Sequence, residues 1–183
     1  MTIKNFWSLN VDEAVVADKL RDGKDYEVFF PVNPQLKDVD LILYNLKTQK
    51  SISIQVKGSI TYKEKKKTQK PSRFMKRFGA PNSWTIIKTK SIFNTTNKID
   101  FIIFVIYEED LLGKNRNIKQ NFLIIPMKDF QRITKKEKKE REKKQEYHYG
   151  FVRIDDKVLE VNNTQGKTID FSKYLNNWDL IKP

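Results

Sequence analysis

The sequence predicts an α/β fold, and three observations carry that expectation. Residues Val11 to Leu20 read as a capped helix, strand-like stretches joined by a short polar turn follow it, and a continuous apolar run spans Phe101-Ile102-Ile103-Phe104-Val105-Ile106. A run apolar on both sides of the pleat suits a central strand covered on both faces.

The helix has Asn10 as its N-cap, Asp12 and Glu13 in the first turn, an apolar stripe through Val11, Ala14, Val15, Ala17 and Leu20, and Gly23 beyond its end. Three strands follow, at Tyr26 to Pro31, Val39 to Leu46 and Ser51 to Lys57. The short polar link Lys47-Thr48-Gln49-Lys50 makes the last two an antiparallel hairpin. From Gly58 to Ser83 lysine, arginine and proline dominate, as in an excursion from the fold with a short helix near Ser72 to Phe78. Further strands are expected at Trp84 to Ile87, Phe101 to Tyr107 and Asn121 to Pro126, and a Lys/Glu-rich helix over Lys128 to Gln145. A hairpin of Tyr147 to Ile154 and Lys157 to Val161 turns at Asp155-Asp156, and a last helix runs from Phe171 to Trp178.

With 183 residues and no internal repeat the chain is sized for one domain. Its 38% hydrophobic and 12% aromatic content exceeds that of disordered chains. Cysteine is absent and His148 is the one histidine, which excludes a disulfide framework, a thiolate zinc site and a histidine-built metal centre; any metal must sit on oxygen. No signal-peptide apolar region and no 18-residue apolar run occur, so a cytoplasmic location without membrane association is expected. The net charge of +13 draws polyanions within a Debye length of about 8 Å, which makes nucleic acid the leading partner. Compositional drift towards lysine competes with that reading.

The residues that carry chemistry are Asp38-Val39-Asp40 and Gln55-Val56-Lys57. Alternation along a strand puts Asp38 and Asp40 on one face and Gln55 and Lys57 on one face of the next strand, so a hairpin would gather carboxylates, an amide oxygen and an ammonium among apolar neighbours. Such groups cost stability unless paired or given a ligand. Phosphodiester hydrolysis needs charge neutralised at the phosphate and an ionised water, and an oxygen-ligated Mg²⁺ or Mn²⁺ supplies both. Asp40 would be the principal ligand, Gln55 and the Val56 carbonyl further ligands, and Lys57 the lysine that orients or deprotonates water. The competing reading is a hairpin with one solvated polar face.

The helix Glu13-Ala14-Val15-Val16-Ala17-Asp18-Lys19-Leu20, then Gly23, Tyr26-Glu27-Val28, Pro31, Val39-Asp40-Leu41-Ile42 and Ile54-Gln55-Val56-Lys57-Gly58 resemble the core of the PD-(D/E)XK nuclease superfamily. The resemblance covers residues 11–58 with position-specific motifs, and is looser over later strands at 84–126. It implies a restriction-endonuclease-like mixed β-sheet flanked by helices, with the basic excursion after the Q-x-K strand and a hairpin and helix in 127–183. It also implies catalytic roles for Glu13, Asp40, Gln55 and Lys57, with Glu13 as a helix carboxylate near the metal. Asp38 has no firm counterpart. Gln55 departs from the commoner glutamate or aspartate and resembles the form found in Mrr-like and modification-dependent enzymes; an amide keeps an oxygen ligand but loses a charge.

The excursion holds Lys63, Lys65, Lys66, Lys67, Lys70, Arg73, Lys76 and Arg77 against Glu64 alone, with Tyr62, Phe74 and Phe78 between, a pattern suited to a DNA backbone. In the run Arg132 to Lys144 the basic residues alternate with Glu137, Glu140 and Glu142, as on a solvated helix. His148 reads as an incidental surface residue, and Trp84 and Trp178 as packing groups. The expected activity is that of a Mg²⁺-dependent endonuclease on double-stranded DNA, with restriction or mobile-element defence as its setting and a homodimer among the assemblies open to it. Two rivals stand beside it: a catalytically silent nucleic-acid-binding module of the same fold, and a protein-binding immunity or inhibitor factor.

Overall fold

A computed structural model describes residues 10–21, 25–32, 38–60, 77, 83–93, 98–110, 117–138, 140–161 and 167–181. The first helix, α1 (Val11–Leu20), is capped as expected: Asn10 Oδ1 accepts the backbone N–H of Asp12 at 3.2 Å. It leads into β1 (Tyr26–Phe29), β2 (Leu41–Asn45) and β3 (Ser51–Ile60). The turn between β2 and β3 closes on Asn45, whose Oδ1 accepts the N–H groups of Lys47 and Thr48, each at 2.9 Å.

β5 (Phe101–Asp110) and β6 (Asn117–Pro126) complete a five-stranded sheet of order β1-β2-β3-β5-β6. All neighbours are antiparallel except β3 and β5, which run parallel from Ile54↔Phe101 to Ile60↔Tyr107. The sheet is therefore mixed, with helices on its faces. A parallel pair demands a crossover, and residues 61–100 supply it, including β4 (Thr85–Lys88) and α2 (Thr89–Phe93). The two ends of the 61–82 segment are tied together, because Ser59 Oγ donates to the Trp84 carbonyl at 2.9 Å.

Two cores sandwich the sheet. On one face Val16, Ala17 and Leu20 of α1 meet Leu41, Leu43, Ile54, Val56, Ile103 and Val105. On the other, Ile102, Phe104 and Ile106 pack under α2, α3 (Met127–Glu137), β7 (Glu146–Tyr149) and the β8 (Phe151–Ile154), β9 (Lys157–Glu160), β10 (Ile169–Asp170) sheet. The apolar run at 101–106 is thus buried on both sides, as its composition predicts. Among the described residues no helix is long and apolar enough to cross a membrane.

Several elements differ from expectation. The helix expected to reach Gln145 ends at Glu137, with a separate 3-10 turn at Glu142–Lys144. Lys138 turns extended to bury its side chain beside Glu160, and no apolar stripe continues past Thr134 to hold the helix down. The strand expected from Tyr147 to Ile154 divides at Gly150: β7 pairs with β4, whereas β8 turns back on β9. The terminal helix is replaced by two 3-10 turns, Ser172–Tyr174 and Trp178–Leu180, separated at Asn176, whose φ of 50° is left-handed. Asn176 instead covers the edge of β6, accepting the Phe122 N–H on Oδ1 at 2.9 Å and donating its own N–H to the Phe122 carbonyl at 2.7 Å. The short helix expected near Ser72 to Phe78 lies outside the described residues apart from Arg77.

β3 continues three residues past Lys57, through Gly58. A Cβ on Gly58 would fall on the carboxylate of Asp12, which is held in place by the Tyr107 hydroxyl at 2.7 Å. Burial and the Asp12 carboxylate push the Tyr107 pKa well above its ordinary value, keeping it a donor. Gly58→Ala must displace Asp12 and orphan Tyr107, so it should cost about 1–3 kcal/mol in urea melts. In an Asp12→Ala background, where the obstructing carboxylate is gone, most of that cost should vanish; additive losses would show that the two residues do not meet.

Candidate metal and nucleic-acid site

β2 leaves the hairpin ladder at Asp40. Its N–H donates to the Ile54 carbonyl at 2.9 Å, and its Oδ2 accepts the Val56 N–H at 2.8 Å, so the side chain takes the place that a continuing strand would occupy. The regular alternation expected over Asp38 to Ile42 breaks here, with Val39 in one core and Leu41 in the other. The same Asp40 oxygen lies 3.8 Å from Lys57 Nζ. Asp40 and Lys57 therefore meet on one side of the sheet, as the sequence implies.

Gln55 is 1% exposed, and among the described residues its Oε1 has no hydrogen-bond partner. Because Ile54 and Val56 point into the core beneath α1, Gln55 and Lys57 point to the opposite face. The C=O of Val56 leaves the strand in the same direction as its N–H, towards Asp40. A buried amide oxygen without a donor costs free energy as it stands. It is also a group that a hard cation accepts, as are a carboxylate and a backbone carbonyl. The donor set thus fits Mg²⁺ or Mn²⁺ in kind. It is sparse in charge, because among the described residues no three His, Asp or Glu side chains gather closely enough to hold an ion.

Two sequence candidates are placed differently from this cluster. Asp38, expected beside Asp40, accepts the Ser91 hydroxyl of α2 on its Oδ1 at 2.9 Å. Glu13 is half-buried in the first turn of α1, the helix covering the other face. The acidic residue of that turn seen at β3 is Asp12, and the smallness of Gly58 was its sole signal in the sequence.

Compared with models of protein families, with curated proteins and with solved structures, the chain matches none. What it can do therefore rests on its own geometry. Of the expected DNA-contacting residues, Lys63, Lys65, Lys66, Lys67, Lys70, Arg73 and Lys76 lie outside the described residues, and Arg77 is exposed.

His148, expected on the surface, is 9% exposed. Its Nε2 donates to Glu146 Oε1 at 2.7 Å, Lys88 Nζ donates to Glu146 Oε2 at 3.2 Å, and Trp84 stacks edge-on at 5.3 Å between ring centres. The His148 hydrogen bond first, and Lys88 after it, hold the Glu146 carboxyl below its ordinary range despite burial. Trp84 and Trp178 are packing groups, the latter against Phe122.

Proposed function

We propose that the chain is a divalent-metal-dependent nuclease acting on DNA, with its centre at Asp40, Gln55, Val56 and Lys57. The observation that carries the reading is the buried Gln55 Oε1 that no donor among the described residues satisfies, on the strand that offers Val56 and Lys57 to the Asp40 carboxylate. Mg²⁺ or Mn²⁺ held there would supply charge neutralisation at a phosphodiester and a more acidic water. Asp40 fixes the position through its bond to Val56, Gln55 contributes a neutral oxygen, and Lys57, 30% exposed, donates to the phosphate or the attacking water. Glu13, on the helix that covers the other face, stands outside this centre, and the restriction-endonuclease-like form of the mixed sheet belongs to the same proposal. The test is a nicking assay on plasmid and branched DNA with Mg²⁺ or Mn²⁺, beside a calorimetric titration of each metal. Metal binding with strand cleavage supports the reading; DNA binding with neither overturns it.

The second reading is a catalytically silent nucleic-acid-binding module, favoured by the single carboxylate at the centre and its proximity to Lys57. Both readings assign the basic excursion to the phosphate backbone. Charge reversal at Lys65, Lys66 and Lys67 should weaken DNA binding equally for all sequences and flatten the dependence of log affinity on log salt, by about 0.9 for each lost contact. An unchanged slope in fluorescence titrations at several salt concentrations would remove the excursion from the interface.

A further inference from the structure

Asp40 lies where the sheet supports it from one side. β1 ends at Phe29, opposite Ile42, so among the described residues no β1 ladder partner reaches Asp40. On the other side Asp40 holds β3 by two bonds, its N–H to the Ile54 carbonyl and its Oδ2 from the Val56 N–H. A further restraint comes from the crossover. Asp38, two residues before, accepts the hydroxyl of Ser91 on α2 at 2.9 Å. Val39, between the two acids, is buried in the core that also holds Ile92 of the same helix. Residues 38–40 are thus bound to α2 at one end and to β3 at the other, with an apolar side chain buried between.

A hydroxyl donating to a carboxylate makes a charge-assisted bond, stronger than one between neutral groups. A segment fixed at both ends keeps fewer orientations than one fixed at a single end. Groups standing behind a metal ligand hold its direction, and their loss weakens the metal although they never touch it.

We propose that Ser91 is a positioning residue for the Asp40 carboxylate and acts through Asp38. The hydroxyl fixes Asp38, the Asp38-Val39-Asp40 segment carries that restraint to Asp40, and the carboxylate keeps its aim at Val56 and Lys57. The consequence for a metal ion rests on the nuclease reading. The restraint on Asp40 does not.

The experiment is amide hydrogen exchange of the full chain without metal, beside calorimetric titration with Mn²⁺. The Val56 N–H is the reporter, because it is bonded to the Asp40 carboxylate. Ser91→Ala should speed exchange at Val56 by about ten-fold while amides of β8 and β9 keep their wild-type rates. The same variant should weaken Mn²⁺ by about ten-fold, the low end of what outer partners of metal ligands cost. Ser91→Thr keeps the hydroxyl and should restore both. Asp38→Asn keeps an acceptor for that hydroxyl and should leave Val56 close to wild type, which separates the tether from the charge of Asp38. Val56 exchange that Ser91→Ala leaves unchanged or raises only together with the whole sheet, that threonine does not restore, or that Asp38→Asn speeds equally, overturns the proposal. If the wild type takes up no Mn²⁺ while Val56 responds as expected, the tether stands and the metal reading falls. Mn²⁺ uptake with an unresponsive Val56 does the reverse.

Discussion

Lys138→Ala should destabilise the fold by about 3–5 kcal/mol in urea melts, and Glu160→Ala by a similar amount. The two side chains are 3% and 0% exposed and meet at 2.7 Å, where α3 gives way to the chain leading into β7. Glu160 Oε1 also accepts the Gly150 N–H at 3.2 Å, and Lys138 Nζ lies 4.8 Å from the centre of the Tyr149 ring. Burial lowers the Lys138 pKa despite Glu160 beside it. Removing one partner strands the other charge in a medium that cannot solvate it, whereas removing both leaves a space that apolar groups can fill. Lys138→Met with Glu160→Leu should therefore recover most of the loss, short of the Gly150 bond. If either single alanine variant melts with the wild type, the pair is hydrated in solution and contributes nothing.

Asp40→Asn should lower DNA cleavage by about 10³-fold or more while leaving the melting temperature within a few degrees of the wild type. The asparagine keeps an acceptor for the Val56 N–H, so the turn that Asp40 stabilises survives, but the charge that would hold a divalent ion is gone. Alanine at this position is a poorer test, since it also strands that buried N–H. Lys57→Ala should retain the metal and lose about 10²-fold to 10³-fold in rate. Gln55→Glu adds a second carboxylate where a sparse set has one, and should tighten Mn²⁺ by about ten-fold in calorimetry. Cleavage by Asp40→Asn at the wild-type rate would place the activity at another site or in a contaminant.

Much of the fold was legible because its signals are local. Asn10 and the acidic first turn define α1 without help from the rest of the chain, but the face it buries is Val16, Ala17 and Leu20, while Val11 and Ala14 of the expected stripe are exposed. The turn at Asn45 defines the β2-β3 hairpin in the same way, and that hairpin alone brings Asp40 to Lys57. What the sequence hid depends on partners distant in the chain. His148 lies between two tyrosines and reads as surface, yet Lys88 from β4 and Trp84 before it make its burial affordable. Asp12 reads as a helix-dipole residue until Gly58 and Tyr107 are seen against it. Lys138 sits in a run of lysines and glutamates that looks uniformly solvated, and only Glu160, 22 residues on, marks it as the one that turns inward.

The bond from Ser59 to the Trp84 carbonyl gives the basic segment an unusual freedom of design. With both ends fixed on the scaffold, the entropy of closing a flexible connection between them grows only with the logarithm of its length, about 0.6 kcal/mol per doubling. A change in the length of that connection should thus cost the sheet little. What the segment touches is free to diverge quickly, while the hairpin holding Asp40 and Lys57 stays as it is.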